Sequence, residues 1–269
     1  MTFERRTVGS TAHFEGLGLH SGEPVRVSVH PGGDGIAFRF GTDRVPARAE
    51  HVTDTSRCTR LGPVSVIEHI LAALAGLEIT DVEIETTAAE MPALDGAAKL
   101  YVEGLVRVGT EAIGRLSVEG PFARVFLQED SIKVAIASGT GHWRYDFDCG
   151  DRWPGFQMFE ALDVVAEFSE GIAPARTFAF SEEILPLLDM GFAKGLGPDT
   201  ALILGDEGYK GVAKFPDEPA RHKLLDCLGD LALSEVPARA LNVVAERSGH
   251  RTNIEAARLL AQAVTIERA

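Results

Sequence analysis

The sequence predicts an α+β protein made of two similar α/β units that face each other. Two stretches carry this reading: residues 64–76 and 221–231 each set a histidine, His69 and His222, in a Leu/Ala-rich helix. With the two histidines aligned, Leu71 matches Leu224 and Gly76 matches Gly229. A strand-like segment follows each helix, at 82–85 and at 241–245. Short alternating apolar segments between Gly- and Pro-bearing turns fill much of the remainder, the pattern of half-buried strands.

Residues 1–50 read as hairpins. A glycine-rich turn at 16–22 precedes an alternating strand at 25–29, a Pro-Gly-Gly turn and a second strand at 36–40. Residues 51–64 read as a polar excursion, followed by the His69 helix and its strand. A turn at 90–96 leads into a helix at 97–106. The stretch 109–114, with a glycine at each end, is the expected boundary between a domain at 1–113 and a domain at 114–269. Strands are expected at 123–127, 132–137, 143–147 and 163–168. A βαβ insertion near 178–205 consists of a strand at 176–180, a short helix capped by Ser181 and stopped by Gly191, and a strand at 200–204. Pro186 counts against that helix. After the His222 helix and its strand, His250 sits on a glycine-bearing loop, and a helix at 253–264 follows.

The totals exclude several classes. Twenty-six Lys+Arg against 40 Asp+Glu give a net charge of −14, which argues against nucleic acid or an anionic membrane surface as the main partner. The three cysteines, Cys58, Cys149 and Cys227, are too few and too scattered for a disulfide framework. No apolar run has the length of a membrane span, and residues 1–6 carry no apolar signal core, so the expectation is a soluble cytoplasmic protein. A monomer is expected as well.

The chemistry concentrates in the two helices. His222, Asp226 and Asp230 stand at i, i+4 and i+8, which stacks them on one helix face at about 6 Å per step. A His and an Asp one turn apart can share an ion. Asp230 lies too far for the same ion and is set to orient another polar group. An amphipathic helix with a solvated acidic face has the same spacing. If the repeat is real, each unit offers one histidine to a shared metal, and Glu68 is a carboxylate beside that metal. His20, on its turn, is either a ligand contact or a structural hydrogen-bonder. Phe178, Phe180, Phe192 and the apolar residues around 184–190 form either a small local core or a groove for a ligand chain.

Seven segments resemble the zinc-dependent UDP-3-O-acyl-N-acetylglucosamine deacetylases of lipid A synthesis. They are 16–22 (GLGLHSG), 65–69 (SVIEH), 72–76 (AALAG), Pro92 with Asp95-Gly96, 175–178 (ARTF), 221–226 (RHKLLD) with Gly229-Asp230, and 248–250 (SGH), in family order. The resemblance implies two two-layer α/β sandwich domains with the active site between them. It implies His69, His222 and Asp226 as ligands of Zn²⁺ and Glu68 as general base. His250 would be a second catalytic group partnered by Asp230, and Thr177 would lie near the oxyanion. It implies that Lys223 contacts a substrate phosphate and that His20, within 16–22, is a substrate contact; Arg247, from its charge alone, is either a further positive charge for a diphosphate or solvated surface charge. The insertion bearing Phe178, Phe180 and Phe192 would be an acyl passage. Iron(II) suits the same nitrogen and oxygen ligands.

The implied substrate is a sugar nucleotide, acylated or not. Leu196-Gly197-Pro198 stands where the family usually has a Gly-Gly-Ser-like turn, and 120–170 matches least. A deacetylase of another N-acetylated amino sugar therefore remains an alternative. A carbohydrate-binding protein without turnover is a third reading, against which stands the complete set Glu68, His69, His222, Asp226 and His250, since binding alone needs no general base.

Overall fold

The computed structural model describes residues 1–120 and 124–269. The strand expected at 123–127 begins on Ala123, outside the described residues. The first half runs β1 (Thr2–Val8), β2 (Ala12–Leu17), β3 (Pro24–Pro31), β4 (Ile36–Phe40), β5 (Asp43–Pro46), β6 (Val52–Asp54), β7 (Arg60–Leu61), β8 (Val64–Ser65), α1 (Glu68–Gly76), β9 (Val82–Thr86) and α2 (Lys99–Val108). After β10 (Thr110–Glu119) come β11 (Val125–Glu129), β12 (Ile132–Ser138), β13 (Trp143–Asp148) and β14 (Phe156–Ala161). Then follow β15 (Phe178–Phe180), α3 (Ile184–Asp189), β16 (Leu202–Leu204), β17 (Tyr209–Lys210), α4 (Glu218–Ala232), β18 (Leu241–Glu246), α5 (His250–Gln262) and β19 (Thr265–Arg268).

Two five-stranded sheets share one topology. The first has the order β2-β3-β9-β4-β5 and the second β11-β12-β18-β13-β14. Each is antiparallel except for one central parallel pair, β4 with β9 and β13 with β18. A parallel pair needs a crossover connection, and α1 and α4 lie in those two crossovers. Alternation does the local work: Val25, Val27 and Val29 are buried while Arg26 is exposed, and Trp143, Tyr145 and Phe147 are buried in β13. α2 packs on β2, α4 on β13 and β14, α5 on β11 and β12, and α1 packs directly on α4. The architecture is thus two similar α/β layers pressed together through their helices. The repeat holds in topology but not in histidine register, because His69 is the second residue of α1 and His222 the fifth of α4.

α4 crosses α1 at Gly229, where a Cβ would lie 2.1 Å from the Glu68 carbonyl oxygen. Only glycine permits that approach. β10 pairs with both β1 and β19 in a three-stranded sheet and runs through the boundary expected at 113/114.

Several local expectations change. Residues 51–64 are not merely an excursion: β6, β7 and β8 form a small antiparallel sheet there. Residues 163–168 are not a strand. Asp163 Oδ1 accepts the N–H groups of Val165 and Ala166, which starts a turn that ends in a π-helical turn, Phe168–Ile172. Ser181 makes no side-chain cap. It opens a 3₁₀ turn, and Pro186 then falls in the first turn of α3, where no helical N–H is lost. Gly191 ends that region with φ +86°. β15 and β16 are parallel, so the insertion is a βαβ unit. His250 is not on a loop but is the first residue of α5, with Gly249 as the N-cap. Among the described residues, no helix is long and apolar enough to cross a membrane.

Candidate active site

The N-terminal part of α1 and the middle of α4 meet under a cleft that the His20 turn, the insertion and the start of α5 also wall. Its walls include Glu68, His69, His222, Lys223, Asp226, His250, Thr177, Phe178 and His20. Another crevice, at the far ends of α1 and α4, is lined by apolar side chains such as Phe3, Ile36 and Val236. Its carboxylates Glu4, Glu78 and Glu235 are committed to Arg6, Arg239 and Arg268, so the chemistry belongs to the first cleft.

His69, His222 and Asp226 are all buried, and one ligand atom from each lies within 4.8 Å of the others. Asp226 Oδ1 is 3.4 Å from His222 Nε2 and 3.8 Å from His69 Nε2. His222 Nδ1 lies 3.1 Å from the Ala175 carbonyl, which sets Nδ1–H as donor and leaves Nε2 for a ligand. Lys223 Nζ donates to Asp226 Oδ2 at 2.8 Å, leaving Oδ1 facing the histidines. Burial pushes His69 down to about 3, with the nearby His222 adding to it, and burial also lowers His222. Burial opposes the charge of Asp226, but His222, Lys223 and His250 outweigh it and hold the carboxyl far below its usual range. Two neutral imidazoles and one carboxylate oxygen converging in a buried cleft fit a divalent ion of the zinc class.

Glu68 stands beside this triad. The Thr59 N–H donates to its Oε2 at 3.1 Å, and its Oε1 lies 3.9 Å from His250 Nε2. Burial raises its pKa to about 7, with Asp226 and Asp230 adding to the rise against the opposing effect of His250. His250 Nδ1 donates to Asp230 Oδ2 at 2.9 Å. Burial disfavours the imidazolium, but Asp230, by charge and hydrogen bond, then Glu68 and Asp226, raise its pKa to about 9. Asp230 is fully buried and also accepts from Asn253 Nδ2 at 3.0 Å.

The family model described as UDP-3-O-acyl N-acetylglycosamine deacetylase matches residues 5–262. The chain belongs to that family. A protein of Thermosynechococcus vestitus named UDP-3-O-acyl-N-acetylglucosamine deacetylase is 35% identical, covering 96% of this chain and 94% of its own length. Proteins of the same name from Leptospira biflexa and Chlamydia muridarum are 31% and 30% identical over 97% and 98% of this chain, and over 91% and 96% of theirs. The deacetylase family is a metalloenzyme family, in keeping with the buried His-His-Asp set.

The remaining candidates divide. Thr177 donates its N–H to the Gly96 carbonyl at 2.7 Å and lines the cleft. Phe178 lines it too, edge-on to His222 with ring centres 6.1 Å apart. His20 Nδ1 accepts from the Ala193 N–H, which leaves Nε2 as the protonated nitrogen, buried and without a protein partner among the described residues. Glu90 holds the His20 turn by accepting the N–H groups of His20 and Ser21 and the Ser21 hydroxyl. Phe192 stacks edge-on against His20 at 5.2 Å, one step behind the cleft wall. Phe180 is not brought to the wall: it is buried, with the Arg152 guanidinium 3.5 Å from its ring centre. Arg247 also stays outside it, paired with Asp148 at 3.2 Å. Contributors that were not foreseen include Thr59, Glu90 and Asn253. Hydroxyl, carboxylate and amide groups on segments so far apart in the chain share no spacing that would have marked them.

Proposed function

We propose that the chain removes the N-acetyl group from UDP-3-O-acyl-N-acetylglucosamine, a step of lipid A biosynthesis, in the cytoplasm, with Zn²⁺ held by His69, His222 and Asp226. The observation that carries the reading is the buried His-His-Asp set with a carboxylate on one side and a partnered histidine on the other, in one cleft. When bound, the ion supplies Lewis-acid activation of water and of the acetyl carbonyl. Glu68 Oε1 takes the proton of the attacking water, and a pKa of about 7 keeps a base form available at neutral pH. His250, protonated through Asp230, offers its Nε2–H to the oxyanion and to the leaving amine. Thr177 supplies a hydroxyl to the same oxyanion. His20 Nε2–H is a neutral donor for a substrate acceptor, and Lys223, its charge shared with Asp226, faces an anionic group of the nucleotide. Phe178, Ala179, Leu187 and Leu196 supply the apolar wall for an acyl chain.

Acetate release from acylated and unacylated UDP-GlcNAc tests the reading. The acylated substrate is expected to react faster, by roughly fourfold in kcat/KM for each CH₂ enclosed at about 0.8 kcal/mol. Equal rates would transfer the enzyme to a different N-acetylated sugar. Glu68→Gln is expected to keep one ion per chain and lose most turnover.

A further inference from the structure

Thr59 is fully buried just ahead of β7, and it touches groups that three separate segments bring to the site. Its N–H donates to Glu68 Oε2 at 3.1 Å, at the start of α1. Its hydroxyl donates to Asp230 Oδ1 at 2.5 Å, on α4, and lies 3.3 Å from His250 Nδ1, on α5. Its carbonyl accepts the N–H of Ile67, the residue preceding α1.

We propose that Thr59 is a positioning residue that aims the Glu68 carboxylate and fixes the Asp230–His250 pair as one unit; the proposal rests on the deacetylase reading above. A carboxylate has two oxygens, and the Thr59 N–H occupies one of them. Oε1 is left as the oxygen on the His250 side, in the cleft. The carboxylate cannot turn without giving up a buried hydrogen bond. The hydroxyl acts on the other partner. Asp230 accepts from Thr59 at Oδ1 and from His250 and Asn253 at Oδ2, so both oxygens are committed and the ring of His250 follows. The same hydroxyl tethers the segment carrying the aiming N–H onto α4. Removing it leaves Asp230 Oδ1 buried without this donor and frees the peptide that holds Glu68.

Thr59→Val and Thr59→Ser separate this role from general support, because Val keeps the shape and Ser keeps the hydroxyl. In the metal-loaded enzyme, Thr59→Val is expected to lower kcat by about 10- to 100-fold while KM and metal content stay within about twofold. Thr59→Ser is expected to recover most of the loss. Amide exchange supplies a readout independent of turnover. The residue-59 amide should exchange faster in the Val variant and not in the Ser variant, while the core amide of Ile84 keeps its wild-type rate. The proposal falls if Thr59→Val keeps its kcat, if the loss lies in KM, or if residue 59 and Ile84 exchange alike in all three proteins. Equal acceleration at both amides without recovery by Ser would also overturn it, as a purely structural effect. A wild-type enzyme that releases no acetate would refute the deacetylase reading, and the exchange at residue 59 would then decide the Thr59 assignment alone.

Discussion

Replacing Asp230 with Asn removes the nearest negative charge from His250, and the sign of the result follows from the contacts. Burial alone would lower the imidazolium's pKa, and Asp230 is the largest influence that lifts it to about 9. Without that charge the pKa falls, so the alkaline limb of the kcat profile should move to lower pH, with a loss of about 10- to 100-fold in turnover and no loss of metal. A pH–rate profile of Asp230→Asn with metal analysis checks this. At this scale the sequence was most legible where chemistry follows a helix period. His222, Asp226 and Asp230 are readable because 3.6 residues per turn aligns them, and Glu68 because it adjoins His69. Thr59 was not legible, since its partner Asp230 lies 171 positions away and a hydroxyl in the loop ahead of β7 follows no period. Phe180 and Arg247 show the converse: aromatic and basic residues near a site are as readily taken up by Arg152 and Asp148 as by a ligand.

The approach of α4 to α1 makes Gly229→Ala a test of element packing. On helix propensity alone the change would stabilise by up to about 1 kcal/mol. The Cβ would instead meet the Glu68 backbone oxygen at 2.1 Å, so a destabilisation of about 1–3 kcal/mol and a weakened metal affinity are expected, measured by denaturant unfolding and metal titration. At the start of α4, Glu218 is buried and accepts from Arg176 Nε at 2.8 Å and from the N–H groups of Arg176 and Lys214. This ties the segments that lead into and out of the insertion, at Arg176 and Lys214, to the start of α4. Burial opposes the Glu218 charge, but Arg176 and the two backbone donors keep its pKa below the ordinary value. A depressed carboxylate stabilises above its unfolded pKa of about 4.3, and that contribution is lost as pH falls through the folded value. Glu218→Gln should therefore cost about 3 kcal/mol at pH 7 and progressively less below about pH 4, followed by Tm against pH. Long alternating strands were readable from the sequence. β6, β7 and β8 were not, because two or three residues carry no alternation. Residues 163–168 misled because their valines suit a strand, whereas the Asp163 side chain decides the turn.

The duplicated topology was foreshadowed by the matched helices and following strands, but the histidine register was not preserved, since α4 starts four residues ahead of His222 and α1 only one ahead of His69. Each half brings one threonine to the site from beside a small accessory sheet: Thr177, beside β15, lines the cleft, and Thr59, beside β7, lies buried behind it. The central parallel pairs have a consequence for folding kinetics. β4 meets β9, and β13 meets β18, only after the long crossover between them has closed, and His69 and His222 are separated by more than half the chain. Such nonlocal closure is slow and completes late. Contacts absent from the transition state alter the escape rate from the native state and leave the entry rate alone. Metal-loaded protein should therefore unfold more slowly than chelator-treated protein while refolding at the same rate, which stopped-flow chevrons with and without the ion would show. The ion would act as a kinetic lock on a finished scaffold and not as a template for building it.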